Sequence, residues 1–184
     1  MKERWCILIV LLLSFTACNS DKARNEDGQS PYAHKVSQGN PHFDLPDIQQ
    51  NGELIVLTLY GPESYFEFRG EDFGLQFMIA RQYAKSIGAS IRVDVSRDMK
   101  DLVTKLQNGE GDFVAFQIDK VDSLSSLLDY VGEKELFTFM DSLSRQRKDD
   151  SLRPRPRAAW AVRKDSPLLS ASLSQWMTTH QKEF

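Results

Sequence analysis

Cys18 is the side chain whose chemistry is most directly indicated by its neighbours. A short cationic start precedes it, followed by an apolar run from Cys6 to Ala17. That run has 12 residues, which suits a secretory signal and falls short of the roughly 20 residues needed to span a bilayer. A thiol is a nucleophile that can be modified covalently. We therefore predict a signal peptide over residues 1–17 that ends just before this cysteine.

The segment Ser14-Phe15-Thr16-Ala17-Cys18 resembles a bacterial lipobox, with Phe15 at the position of the usual leucine. In lipobox proteins the chain is cut before the cysteine, and acyl chains on the thiol hold it at a membrane. The resemblance implies a protein of the cell envelope, lipid-anchored to a bacterial membrane on its periplasmic or outer-membrane face. Two alternatives are a plain secretory signal with a chance cysteine and an uncleaved transmembrane helix.

Other reactive side chains do not have the spacing of a catalytic or metal centre. The acidic pairs Glu71-Asp72 and Asp149-Asp150 are adjacent in sequence, so their carboxylates do not generally converge on one atom. Two of the three histidines lie in a polar segment near the start, and His180 lies near the end. No nucleophile with a partner base, phosphate loop or metal-ligand spacing is present. We expect a non-catalytic protein without a metal or cofactor.

Strand and helix patterns alternate through the middle of the chain. Apolar or alternating runs at 54–59, 91–95 and 113–116 predict strands, and helical spacing of apolar residues predicts helices over 74–87 and 98–108. The order gives two successive βαβ units, and right-handed crossovers then make a parallel sheet. The predicted fold class is α/β, with an open, mostly parallel sheet and flanking helices.

Ligands of open parallel sheets bind beyond the carboxyl ends of the strands. The loops after the three predicted strands contain aromatic and polar residues, and aromatic faces stack on sugars or on apolar groups. For Tyr65 and Phe66 a core position is an equal alternative, and we expect Phe68 in the core. The candidate ligand-binding residues are Tyr60, Ser64, Tyr65, Phe66, Arg97, Phe116, Gln117 and Asp119.

Three motifs in this order resemble the extracellular solute-binding proteins of family 3, and most nearly the N-terminal domain of membrane-bound lytic transglycosylase F. They are GELIVLT at 52–58, Gly70-x-x-x-Gly74 at a helix start, and Leu106-x-x-Gly109-x-x-Asp112 before the third strand. The segment AAWAVRKDSPLL at 158–169 resembles the strand and helix with which such proteins return to their first lobe. The resemblance implies a periplasmic-binding-protein-like fold that recognises a small solute.

The chain departs from this family in the segment that should form a second lobe. Only residues 119–157 lie between the third strand and the returning strand, which is fewer than a separate domain usually needs. We predict one or two helices, or a helix and a strand, that cover the sheet edge and leave a single lobe. The arginines at 145–157 have two interpretations, a basic linker or a contact with lipid head groups or acidic glycan.

A second departure concerns the ligand. The family's amino-acid binders hold the ligand carboxylate with an arginine just past the third strand, whereas 116–124 contains Lys120 and no arginine. Asp119 and Asp122 would repel a carboxylate, and a lysine lacks the planar fork of arginine. Ordinary free amino acids are therefore doubtful ligands.

The polar residues 18–50, rich in Gly, Pro, Asn and Ser, predict a flexible tether before a solute-binding-like domain at 51–184. The net charge of −3 gives no broad basic surface for nucleic acid. The first hypothesis is a lipid-anchored binder of a small solute or peptidoglycan fragment, with weak affinity because one lobe encloses a ligand poorly. The second is an interaction module for an envelope transglycosylase or transporter. The third is a decayed paralogue without activity.

Overall fold

The structure is a computed structural model, and it describes residues 43–149, 152–153 and 155–181. The predicted signal peptide, Cys18 and most of the predicted tether lie outside these residues. The elements are α1 (Leu45–Asn51), β1 (Glu53–Leu59), β2 (Phe66–Phe68), β3 (Glu71–Phe73), α2 (Leu75–Ser86), β4 (Ser90–Ser96), α3 (Met99–Gln107), β5 (Phe113–Asp119), α4 (Asp122–Ser125), β6 (Leu128–Val131), α5 (Glu133–Arg147), β7 (Ala158–Arg163) and α6 (Pro167–His180).

Five strands form the main sheet, in the order β4-β1-β5-β7-β6. Strand β1 pairs in parallel with β4 on one side and with β5 on the other. The two predicted βαβ units are therefore confirmed. Strand β7, the AAWAVR segment, runs antiparallel between β5 and β6. The returning strand thus completes the sheet, and the open, mostly parallel α/β fold is confirmed.

Helices pack on both faces of this sheet because the inner strands β1, β5 and β7 bury side chains on two sides. On one face α1, α2 and α6 contribute Ile48, Ile79, Tyr83 and Leu173 to a core that also holds Trp160 of β7. On the other face α3 places Leu102 and Leu106 against the strands. All six residues of β7 are buried, which is expected of an inner strand with both faces covered.

The folded part begins earlier than residue 51, so the predicted boundary of the tether is too late. Helix α1 starts at Leu45 with Asp44 as its N-cap and a proline in its first turn, and Ile48 is buried. The Asp44 carboxylate accepts from its neighbour Leu45 N (2.8 Å) and also from Leu168 N (2.8 Å) and Leu169 N (2.7 Å) at the start of α6. One side chain therefore caps two helices and joins the two ends of the domain.

The short insert between β5 and β7 forms α4, β6 and α5 rather than a second lobe. Strand β6 pairs with β7 and becomes the edge of the sheet. Leu136 and Met140 of α5 are buried, and Leu136 belongs to the core beneath α6. The insert therefore extends the existing core, as its few apolar residues predict. Within the described ranges, no helix combines the length and apolar composition that crossing a bilayer requires.

Asp112 is buried directly before β5, and its carboxylate accepts a hydrogen bond from Ile55 N at 2.7 Å. Burial raises the pKa of Asp112 to about 6, although the Ile55 hydrogen bond and Arg163 act against the shift. The folded state thus holds this proton more tightly than the unfolded state does. The contribution to stability is complete below about pH 4 and falls by about 2–3 kcal/mol as pH rises through 6.

Urea unfolding between pH 4 and 7.5 checks this prediction. The Asp112→Asn variant keeps an oxygen that can accept from Ile55 N but cannot ionise, so its unfolding free energy should fall less over this interval than that of the wild type. Parallel pH profiles for the two proteins would contradict the assignment.

Candidate functional site

The carboxyl ends of β4, β1 and β5 lie at one edge of the sheet. Strand β7 begins at the same edge because it is antiparallel, and Ala158 pairs with Asp119 there. Strand β6 ends there as well, with Val131 opposite Trp160. We call the residues at this end, with the loops that follow them, the carboxyl edge. The candidate ligand-binding residues lie in the segments that follow β1 and β4 or within β5, from its middle residue Phe116 to its last residue Asp119, but the structure uses them differently.

Ser64 and Tyr65 hold the loop after β1 in shape. Ser64 is buried and its hydroxyl donates to Leu59 O at 2.6 Å, while Gly61 N donates to Tyr65 O at 2.8 Å. The Tyr65 hydroxyl donates to the Asp72 carboxylate at 2.6 Å, a bond that raises the pKa of Tyr65 to about 12. The hydroxyl groups of both side chains therefore stabilise the loop after β1. Tyr60, in contrast, is 70% exposed.

Strands β2 and β3 form a small antiparallel hairpin apart from the main sheet. Phe66 stacks on Phe73 across it, with ring centroids 5.6 Å apart. Phe68 is 56% exposed and lies under the guanidinium of Arg69 at 5.0 Å. The prediction of a core position for Phe68 is wrong because its ring lies on a small two-stranded hairpin and stays largely exposed. Phe66 packs within the hairpin.

Arg97, after β4, pairs with Asp101 at 3.3 Å in the first turn of α3, and its side chain is 86% exposed. The backbone N–H of Arg97 also donates to Asp101 at 3.0 Å. The charge of this arginine is therefore paired with a carboxylate at the start of the next helix. It is placed at the carboxyl edge, but no contact joins it to the candidates on β5.

Phe116, Gln117 and Asp119, at the end of β5, are brought together by Arg155. The guanidinium of Arg155 donates to the backbone oxygen of Gln117 and lies 5.5 Å from the centre of the Phe116 ring. The same group is 3.9 Å from the Asp119 carboxylate. The structure therefore places an arginine at the end of the third parallel strand, although residues 116–124 contain none.

Glu63, in the loop after β1, is an acidic residue on which the charge of Arg155 acts. Its backbone oxygen accepts from Gln76 N at 3.0 Å, which fixes the loop against the start of α2. Burial raises the pKa of the Glu63 carboxyl, and the positive charge of Arg155 acts in the opposite direction. Two acidic side chains, Glu63 and Asp119, thus lie in the electrostatic field of one arginine.

The amide nitrogen of Gln117 is buried and has no hydrogen-bond partner among the described residues. Buried polar atoms are normally paired, so an ordered water is the expected partner of this donor. Lys120, the other basic residue of this strand end, is less available. It bonds to Glu133 at 2.7 Å, and its ammonium lies 5.7 Å from the Tyr130 ring.

Sequence reasoning does not identify Arg155 and Glu63, although a signal for Arg155 exists. It lies three residues before β7, and an antiparallel β7 must start where β5 ends. The Arg153-Pro154-Arg155-Pro156-Arg157 segment by itself indicates only a linker or a lipid or glycan contact.

A groove of about 340 Å³ lies beside the cluster, lined by Glu133, Lys134, Phe137, Pro156 and Arg157. In the described part of the chain, no cluster of His, Cys, Asp and Glu could hold a metal ion.

No protein-family model matches this chain. Three solved structures show what its fold is similar to. The arginine-bound form of domain 1 from TmArgBP matches with a TM-score of 0.57 and 14% identity, over 72% of this chain and 97% of that one. The L-cystine solute receptor of Neisseria gonorrhoeae matches with a TM-score of 0.59 and 12% identity, over 77% and 92%. An ancestral cyclohexadienyl dehydratase matches with a TM-score of 0.57 and 14% identity, over 76% and 91%.

At these identities the likeness establishes the fold and leaves the ligand open. Two of the three proteins are named for binding amino acids, and the third is named as an enzyme. The fold of this chain is a five-stranded, mostly parallel sheet with helices on both faces. The chain has the fold of a single lobe of a periplasmic-binding-protein-like solute-binding protein.

Proposed function

We propose that this chain is a lipid-anchored, non-catalytic protein of the bacterial cell envelope that binds a small solute or a cell-wall fragment at its carboxyl edge. The observation that carries the proposal is the convergence of the Phe116 ring, the Gln117 backbone oxygen and the Asp119 carboxylate on Arg155. An aromatic face, a backbone acceptor and two opposite charges are groups with which small polar ligands are held.

The similarity to domain 1 of TmArgBP supports binding by one lobe, since that single domain is named as arginine-bound. The charged groups at the edge support binding rather than catalysis, because the acidic side chains of Glu63 and Asp119 face an arginine. One lobe covers only part of a ligand, so we expect dissociation constants in the micromolar range or weaker.

Calorimetric titration with a panel of amino acids and muropeptides tests solute binding. The Phe116→Leu variant keeps an apolar side chain but removes the aromatic face, and it should weaken binding about fivefold because a stacked ring contributes about 1 kcal/mol. The Arg97→Gln variant, at the same edge but away from the cluster, is the matched control. Absence of binding across the panel, or equal loss in both variants, would contradict the proposed site.

Lipid anchoring is tested separately, by metabolic labelling with radioactive palmitate. Wild-type protein should incorporate label and sediment with membranes, and Cys18→Ser should do neither because it has no thiol to acylate. Cys6→Ser is the matched control, since the predicted cleavage removes residue 6 with the signal. Equal labelling of wild type and Cys18→Ser would exclude the anchor.

The second candidate function is an interaction module for an envelope transglycosylase or transporter. The hairpin β2–β3 favours it, because Phe68 is 56% exposed and Phe73 is 37% exposed on one small projecting element. Exposed aromatic residues are enriched at protein interfaces. Copurification from solubilised membranes distinguishes this function. A partner lost on Phe68→Ser would support it, whereas recovery of the protein alone would favour the solute binder.

A further inference from the structure

Arg155 is held at the carboxyl edge by groups that each recognise a planar cation. Its guanidinium donates to the Gln117 backbone oxygen, which is an uncharged acceptor. The Phe116 ring lies within the distance at which an arginine and an aromatic face attract each other, 5.5 Å. The Asp119 carboxylate supplies negative charge at 3.9 Å. These three groups belong to β5, while the cation comes from the segment before β7.

Glu63 adds negative charge from a different element, the loop after β1. The groups that contact Arg155 are therefore one carboxylate, one backbone oxygen and one aromatic face, all on β5, and Glu63 acts on it only through its charge. The contacts of Arg155 with them are partial. Its side chain is 45% exposed, and the Asp119 contact is at the outer limit of an ion pair. A solvent-exposed ion pair contributes little, so a competing cation can displace it.

We propose that the end of β5 is a guanidinium-binding site which Arg155 occupies from within the same chain, and that the solute carries a guanidinium group and displaces this arginine. The inference rests on the proposed function and adds the chemical class of the ligand. Arg155 then acts as an internal competitor that lowers the apparent affinity for the solute.

In the alternative role, the guanidinium of Arg155 would bind the carboxylate of a ligand. Three observations disfavour it. One arm of the guanidinium is already used on the Gln117 backbone oxygen. Asp119 lies within 3.9 Å, and Glu63 is close enough for the charge of Arg155 to act on its pKa. An incoming carboxylate would meet two acidic side chains, and bidentate recognition requires both arms of the fork to be free.

Titration of the full chain, purified in detergent, tests the inference. The ligands are L-arginine, agmatine, which has the guanidinium without the carboxylate, and L-citrulline, the neutral counterpart of arginine. The proteins are wild type, Arg155→Gln and Arg145→Gln. The last variant removes a cation that pairs with Asp141 on the surface of α5 and serves as the matched control.

Arg155→Gln should bind L-arginine and agmatine about tenfold more tightly than wild type does. A site that is free in only about a tenth of the molecules loses affinity by that factor, and the substitution removes the competitor. Arg145→Gln should bind them as wild type does. Citrulline should bind none of the three proteins measurably, because it lacks the charge that Asp119 and Glu63 attract.

Weaker arginine binding by Arg155→Gln would overturn the inference, as would citrulline binding as tight as arginine binding, or no arginine or agmatine binding by any protein. Arg155→Lys guards against a change in folding, since it keeps the charge and should bind arginine more weakly than Arg155→Gln does. The proposed function is judged apart from this result. Another solute that binds and is sensitive to Phe116→Leu would preserve the function while excluding a guanidinium ligand.

Discussion

Replacing Gly74 by alanine should lower the free energy of unfolding by about 4 kcal/mol, because backbone strain and a clash combine. Gly74 has φ of 131°, a conformation that side chains rarely adopt. A Cβ atom there would lie 2.2 Å from the Ser64 backbone oxygen and 2.8 Å from the Tyr65 Cα. Both obstacles are backbone atoms, so the loop after β1 would have to move as a whole.

Chemical denaturation of wild type, Gly74→Ala and Gly70→Ala measures this effect. Gly70 is the matched control because its φ is also positive, at 79°, while a Cβ atom added to it would have no neighbouring atom within 4 Å. We expect Gly70→Ala to cost about 1 kcal/mol, from backbone strain alone. Equal losses in the two variants would show that the contact with Ser64 is unimportant.

Asp44→Ala should destabilise the protein by about 4 kcal/mol. Its carboxylate accepts three backbone N–H groups, from Leu45, Leu168 and Leu169. Hydrogen bonds to a charged group contribute about 1.5–3 kcal/mol each, and the loss is greater where a donor is left buried without a partner. Leu169 is fully buried, so water cannot easily replace the acceptor.

Thermal unfolding followed by circular dichroism is a suitable measurement, and a loss of this size should lower the midpoint by about 10 °C. Asp47→Ala is the matched control. It removes one bond of the same capping box, from Asp44 N to the Asp47 carboxylate at 2.9 Å, and should cost about 1 kcal/mol. A midpoint for Asp44→Ala close to that of Asp47→Ala would contradict the role of Asp44 in joining α1 to α6.

The strands and helices of the βαβ units can be predicted because their apolar spacing is regular and their ends have clear signals. Strand β1 is a continuous apolar run, and α3 has apolar residues on one face with an aspartate at its N-cap. Such patterns reflect burial directly. The elements that the sequence does not predict are short. They are marked by turn and cap residues rather than by a regular spacing of apolar residues.

Helix α1 falls within the predicted tether because Asp44 and Pro46 are typical of loops. The same two residue types also begin helices, as an N-cap and a first-turn proline, and only Ile48 marks the buried side. The β2–β3 hairpin has three residues in each strand and turns through Arg69 and Gly70, both with positive φ, at 56° and 79°. A two-residue turn with these angles suits a hairpin, but non-glycine residues adopt it too rarely to be predicted.

For the site, the sequence predicts the correct edge of the sheet but only part of the chemistry. Rules for parallel sheets locate the ends of strands, and Phe116, Gln117 and Asp119 do lie together there. They do not show which side chains turn back into their own loops, as Ser64 does. These rules also do not show which residues distant in sequence lie at the same edge. Arg155 is such a residue, 38 positions from Gln117.

The pairing of Asp119 with Ala158 has a consequence for how such proteins can change in size. The segment between these residues begins and ends at adjacent points of the sheet, and in this chain it also supplies the edge strand β6. The two attachment points stay adjacent whatever the length of the segment, so the β5–β7 ladder does not constrain that length. Whatever is inserted there begins and ends beside Asp119, at the edge where we propose that a solute binds.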